Sequence, residues 1–202
     1  MTRLPKHLKL FGISLLIILG LTACNFPPTT PTPTLPPPCS PDFLIVSINN
    51  ANSNGPGTDT INLDPGCIYQ LDSVNNTTDG NNGLPSITSS IIINGSGATV
   101  RRATTAGKMA LRLFHISAGG ELTLNNITLL DGMGIEPLDV TDPVRNSGGA
   151  IYNAGILTVN EGLLTANRAK LKGGGIHNIG TMTLNSTTLE NNETNIGDEP
   201  NE

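Results

Sequence analysis

Three segments of this chain superimpose without a gap when aligned on an asparagine: Ile116 to Asn125, Ile151 to Asn160 and Ile176 to Asn185. A weaker fourth copy, Ile91-Ile92-Ile93-Asn94, lies upstream with the same large-apolar, variable, large-apolar, Asn order. The asparagines recur at 94, 125, 160 and 185, so the period is 25 to 35 residues with the surplus confined to one loop. A repeat of that length means one structural unit stacked on the next.

The periodicity inside each copy says what the unit is made of. Leu122/Leu124, Leu157/Val159 and Met182/Leu184 alternate with Thr123, Thr158 and Thr183, the two-residue period of a strand with one buried face. Helical repeats are thereby disfavoured. Gly119-Gly120, Gly155 and Gly180 stand just before each strand, where a bend needs positive φ or a close backbone approach. The Asn after each strand tolerates the left-handed conformation that would end it. Stacked at about 4.8 Å, Asn94, Asn125, Asn160 and Asn185 are expected to form an internal ladder, each side-chain amide bonding the next. Beyond the Asn the apolar beat resumes at Ile127 and Leu129, at Leu164 and at Leu189, then turns at Asp131-Gly132, Asn167 or Asn191-Asn192. Strand, bend, strand, turn and strand make a three-sided coil, and the fold expected is all-β: a parallel β-helix of about five or six coils.

These residues resemble the right-handed parallel β-helix of the pectate-lyase-like superfamily. Within it, Gly148-Gly149-Ala150-Ile151 and Gly173-Gly174-Gly175-Ile176 are similar to the Gly-Gly-Ala-Ile repeats of polymorphic outer-membrane proteins and related bacterial surface proteins. Leu44 to Asn52, Asp59 to Leu63 and Leu84 to Thr88 resemble the amino-terminal coils that precede such repeats, so the resemblance covers about residues 39 to 192. It implies a fold more than an activity, because the superfamily includes lyases, hydrolases, esterases, adhesins and inert shafts.

The amino terminus carries a different message. Arg3, Lys6 and Lys9 form a basic leader, and the apolar stretch Leu10 to Leu21 is short for a membrane span, so residues 1–23 read as a secretion signal. The signal ends in Leu21-Thr22-Ala23-Cys24, which resembles the bacterial lipobox and implies lipidation of Cys24 after cleavage before it. Several acyl chains, at about 0.8 kcal/mol per buried CH₂, anchor far more firmly than one. Residues 24–38 continue as a Pro/Thr-rich linker unable to form helix or sheet interior; extended as polyproline II at about 3.1 Å per residue, it would hold the folded part some 40 Å off the membrane. Cys39 and Cys67 remain, and an exported chain permits a disulfide between them. It would staple the first coil, where a stack of coils needs a cap. The organisation expected is therefore 1–23 signal, 24–38 lipidated Cys and linker, 39–100 amino-terminal coils and cap, 101–192 repeats, and 193–202 an acidic polar tail. In that tail Asp198, Glu199 and Pro200 would discourage pairing at the edge, or the chain is a shortened relative of a longer surface protein.

Charge and motif content narrow the function classes. Removing Arg3, Lys6 and Lys9 leaves 8 basic residues against 16 acidic ones, which argues against nucleic acid as a partner. Arg101-Arg102 and Arg168, Lys170 and Lys172 are basic clusters without interleaved aromatics, expected on solvated strand edges or loops. There is no phosphate loop, no His-Glu-x-x-His and no Gly-x-Ser-x-Gly. The β-helix enzymes place carboxylates at equivalent outward positions of neighbouring coils. In the gapless register those rows hold Ser117, Tyr152 and His177, and Thr123, Thr158 and Thr183, with no carboxylate in either. His115 finds no repeat partner in that register. The insertion at residues 132 to 147 carries Glu136, Asp139, Asp142 and Arg145, where an acidic site is conceivable. No catalytic residue, metal ligand or cofactor is assigned. Tyr152, His177, Thr123, Thr158 and Thr183 form a candidate contact stripe for glycans or surface proteins. The reading reached is a lipid-anchored protein on the exported side of a bacterial envelope, with a structural or adhesive role. The alternative is a polysaccharide-active lyase or glycoside hydrolase.

Overall fold

The computed structural model describes residues 39–136 and 141–194. The signal segment, Cys24, the Pro/Thr linker, Asp139 and residues 195–202 of the tail lie outside the described residues. The described part is predominantly β, with one helix and parallel sheets.

Helix α1 (Pro41–Ser53) opens it. Ser40 caps the helix by accepting a hydrogen bond from the Asp42 amide, and Pro41 occupies the first turn, where its missing N–H costs nothing. Leu44, Ile48 and Ala51, at helical spacing, are buried on one face. This corrects the expectation of a β coil from Leu44 to Asn52. The run Leu44-Ile45-Val46 has high strand propensity, but the cap signature before it and the i, i+4, i+7 burial decide for helix. The Cys39–Cys67 disulfide ties the residue two before α1 to the residue before strand β2.

The strands follow as β1 (Thr58–Asn62), β2 (Ile68–Leu71), β3 (Ser90–Arg102), β4 (Phe114–Ile116), β5 (Glu121–Leu130), β6 (Met133–Gly134), β7 (Ile151–Asn153), β8 (Ile156–Asn160), β9 (Leu163–Thr165), β10 (Arg168–Ala169), β11 (Ile176–Asn178), β12 (Thr181–Asn185) and β13 (Thr188–Glu190). Every pairing among them is parallel. The largest sheet runs β1-β3-β5-β8-β12, with β2 on β3 and β9 between β5 and β13; β4, β7 and β11 form a second sheet, and β6 and β10 a third. Each pass of the chain thus lies on the pass before it. The division expected between residues 100 and 101 falls within β3, inside one layer of the core.

The register puts like on like. Ile91, Leu122, Leu157 and Met182 are mutual partners along one file, and Ile93, Leu124, Val159 and Leu184 along the next. The first three members of each file are fully buried. Gly120, Gly155 and Gly180 stack as well: a Cβ on any of them would collide with a backbone carbonyl of the preceding pass, at Ile87, Gly120 and Gly155 respectively. Close approach, more than positive φ, is what those corners require.

The last described pass differs from the others. Met182, Leu184 and Leu189 sit opposite buried Leu157, Val159 and Leu164, yet they are 38%, 36% and 45% exposed. Replacing Leu157 by Ala should therefore cost about 2–5 kcal/mol, whereas the same change at Leu184 should cost well under half as much. Urea unfolding of the two variants measures the difference, and equal losses would contradict the burial gradient. Reducing the Cys39–Cys67 bridge, which closes a separation of 28 residues, should lower stability by roughly 3–4 kcal/mol in the loop-entropy description. Unfolding with and without reductant reads it.

Candidate functional site

The sheet β4-β7-β11 is only three residues wide, and the middle residue of each strand faces away from the core. Phe114 and Ile116 flank His115, and Ile151 precedes Tyr152; these apolar neighbours belong to the buried cluster. Register pairs His115 with Tyr152 and Tyr152 with His177. The His115 and Tyr152 rings stack at 5.6 Å between centroids, 18° from parallel, and the His177 ring tilts at 47° over Tyr152 at 5.4 Å.

This row corrects the gapless alignment. Ser117 does not belong to it, and His115 does have repeat partners. From Ile116 to Glu121 the turn is two residues longer than from Asn153 to Ile156, with Gly119 at φ 88° absorbing the excess. Although the row points outward, it is largely covered, with His115 and Tyr152 1% and 2% exposed. Tyr152 and His177 lie on one sheet and Thr123, Thr158 and Thr183 on another, so the structure does not bring the expected stripe together as one row.

Two loops provide the cover, and Arg112 joins them. Its fully buried guanidinium lies 4.8 Å over the Tyr152 ring, a cation–π arrangement. Nη2 donates to the carbonyls of Asp79 at 2.9 Å, Val144 at 2.9 Å and Arg145 at 3.2 Å. Burial pushes the Arg112 pKa down to about 10, opposed by Tyr152, Asp79 and Asp142. Among the described residues its Nε and Nη1 are buried without a hydrogen-bond partner. Glu136 and Asp142 of the insertion are engaged locally: Arg145 meets Asp142 at 3.4 Å and Glu136 at 3.9 Å, and Asp142 accepts from the Val144 amide at 2.8 Å. Arg101 and Arg102, expected on solvated edges, are partly buried against Asp131.

His115 is held from both sides. Its Nδ1 lies 2.9 Å from Ser86 Oγ and its Nε2 3.1 Å from Asp79 Oδ2. A carboxylate only accepts, so the neutral ring carries its proton on Nε2 and leaves Nδ1 free to accept from the serine. Burial lowers the His115 pKa; the Asp79 hydrogen bond opposes this and the Arg112 charge adds to it. Asp79 itself sits at φ 55°, followed by Gly80 at φ 122°. Asn82 Nδ2 clamps that turn, donating to Thr78 O at 2.7 Å, Gly80 O at 3.0 Å and Asn76 Oδ1 at 2.9 Å. Sequence reasoning missed Ser86, Asp79 and Arg112, which lie outside the repeat blocks and meet only through the loops.

The asparagine row is visible as a chain of side-chain bonds. Asn94 donates to Asn62 at 2.8 Å, Asn125 to Asn94 at 2.8 Å, Asn160 to Asn125 at 2.7 Å and Asn185 to Asn160 at 2.7 Å. It is not internal. These residues share the outward parity of Thr123, Thr158 and Thr183 and are half-buried or exposed. Nor do they take the left-handed conformation, which falls on the following residues Asn126, Glu161 and Ser186 at φ 47°, 54° and 48°. Two further stacks are more deeply placed: fully buried Asn153 donates to Asn178 at 2.6 Å, and fully buried Asn167 to Asn192 at 2.9 Å. Asn153 and Asn178 stood at equivalent positions of the aligned blocks, so the same rule could have found them.

A separate groove of about 370 Å³ between α1 and β1 is lined by Phe43, Asn50, Asn54, Asp59 and Ile61 among others. Among the described residues no group of three or more His, Cys, Asp or Glu is placed to hold a metal ion, and no helix is long and apolar enough to cross a membrane. No family model, curated protein or solved structure matches the chain.

The His115 environment has a pH consequence. Its folded pKa lies below the ordinary 6.5, so its contribution to stability is fully present above that value and is lost as pH falls through the folded one. The urea midpoint of the parent should accordingly drop more between pH 7 and pH 5 than that of His115→Gln. Parallel pH dependences in the two proteins would contradict this.

Proposed function

We propose that this protein is an envelope-anchored scaffold: a right-handed parallel β-helix held off a bacterial membrane by the lipidated Cys24 and the Pro/Thr linker, with a structural or adhesive role. The observation that carries the scaffold reading is the register Asn62-Asn94-Asn125-Asn160-Asn185, in which each asparagine pairs with the one on the neighbouring pass. Parallel strands joined by crossovers are right-handed in nearly all proteins. Five such passes, each pairing with its neighbours, support the β-helix, and the Gly148-Gly149-Ala150-Ile151 and Gly173-Gly174-Gly175-Ile176 corners support the likeness to surface-protein repeats. The anchor rests on the basic leader, the short apolar stretch and the Leu21-Thr22-Ala23-Cys24 sequence.

Two experiments test the two halves separately. Cys24→Ser in the full-length precursor should move the protein from the membrane fraction to the soluble exported fraction; unchanged membrane recovery would refute lipidation. The mature domain passed over a panel of acidic polysaccharides should be retained or should flow through, without generating new reducing ends or unsaturated products. Turnover of any member would replace the scaffold reading by the lyase or glycoside hydrolase alternative.

A further inference from the structure

We propose that Ser86, His115 and Asp79 form a nucleophilic site that accepts the acyl group of small carboxylic esters, an activity independent of the scaffold role. A serine hydroxyl is a weak nucleophile until a base within hydrogen-bond reach takes its proton, and the base works best when a third group fixes its tautomer and orientation. All three parts are present: Ser86 Oγ at 2.9 Å from Nδ1, and Asp79 Oδ2 at 3.1 Å from Nε2. The serine meets Nδ1 and the carboxylate Nε2, and either ring nitrogen can serve as the base when the other is held.

The competing acceptor for the Ser86 proton is Asn76 Oδ1, at 3.3 Å. That oxygen already accepts from the Thr78 amide at 3.1 Å and from Asn82 Nδ2 at 2.9 Å, which fills its two lone pairs. The hydroxyl is thereby directed to His115. Its backbone is pinned by Asn52 Nδ2, which donates to Ser86 O at 2.8 Å, and by the Ile87 amide, which donates to His115 O at 2.8 Å. Asp79 adopts a left-handed conformation that is uncommon for a side-chain-bearing residue, held by Asn82 and by the buried Arg112. Ser86 is partly exposed and Asp79 half exposed, with the 1% exposed imidazole between them. Between buried Pro85 and Ile87, Ser86 is the partly exposed residue of this segment.

The reaction balances without a co-reactant other than water. Ser86 Oγ forms a bond to the ester carbonyl carbon while its proton passes to Nδ1; the C–O bond to the alcohol breaks and the alkoxide takes that proton. Water then attacks acyl-Ser86, giving its proton to Nδ1, and the serine leaves with it as the carboxylic acid departs. Asp79 is a positioning residue that balances the transient imidazolium.

Incubation of the mature protein with a fluorophosphonate, followed by mass spectrometry of its peptides, tests the site on the unmodified chain. Ser86 should be labelled roughly 100-fold faster than Ser90, whose hydroxyl meets Thr58 and Glu121 but no imidazole. The rate should fall at acid pH as His115 protonates. The charged or titratable groups around that ring are Asp79, Arg112, Tyr152 and, beyond Tyr152, His177. His115→Gln should lower Ser86 labelling to the Ser90 level, and Asp79→Asn should move the pH profile while the far-ultraviolet circular dichroism is unchanged. p-Nitrophenyl acetate should acylate the same residue. A folded parent protein with Ser86 unlabelled, or labelled no faster than Ser90, would overturn the proposal, as would labelling indifferent to His115→Gln.

Discussion

Hydrogen bonding between one pass of the backbone and the next is the constraint from which the rest of this structure follows. Parallel pairing that keeps register through the Asn, where β3 and β5 shift only between Asn94 and Ala98, places residue over equivalent residue, so a side chain that suits one pass must suit contact with its own kind. Asparagine meets this condition because its amide is donor and acceptor at once. Glycine meets it at the corners, where a Cβ at Gly120, Gly155 or Gly180 would strike a carbonyl of the pass before. Leucine and isoleucine meet it in the interior. Magnitudes rank these contributions. A fully buried Leu or Ile contributes about 1.5–3 kcal/mol, whereas a hydrogen bond contributes about 1 kcal/mol net and less where water competes. The apolar files therefore supply most of the stability, and the half-exposed Asn row chiefly penalises slippage.

That division explains how much was legible in the sequence. The apolar alternation and the Asn register read correctly because stacking repeats the same residue at the same place. The row containing Tyr152 did not, because register passes through a turn before it reaches β4, and the turn from Ile116 to Glu121 holds two residues more than its counterpart. A gapless alignment silently moved Ser117 into the place of His115. Helix α1 was hidden for a different reason: Leu44-Ile45-Val46 reads as strand, and only the Ser40-Pro41-Asp42 start marks a helix. Arg112 gave no signal at all. Between Leu111 and Leu113 it looks like any outward residue of a strand, and its burial depends on two irregular loops whose path no periodicity encodes.

The first and the last described passes are unequal. Helix α1 covers the first pass with Leu44, Ile48 and Ala51, and the disulfide fixes the chain there. The last described pass, β11 to β13, presents Met182, Leu184 and Leu189 partly to water, at positions that are closed one pass earlier. Local opening has its lowest free energy where the fewest apolar contacts are broken, which places fraying at β12 and β13. Hydrogen exchange should thus be graded along the stack, slowest where both neighbours are present.

Position along that gradient bears on the chemistry. His115 lies on β4, between the helix-capped end and β7, with a packed pass on either side. Ser86 and Asp79 come from a loop, where precision is ordinarily poor, yet each is tied to β4 or to the residues that lead into it: Ile87 bridges Ile116, and Asp79 O is bonded to Arg112. The guanidinium that makes this tie is an expensive group to bury. A hydrophobic side chain in its place would satisfy the core more cheaply. It could not bond three carbonyls from two loops while lying over Tyr152, and one of those bonds fixes the backbone of Asp79, the residue whose carboxylate meets the imidazole.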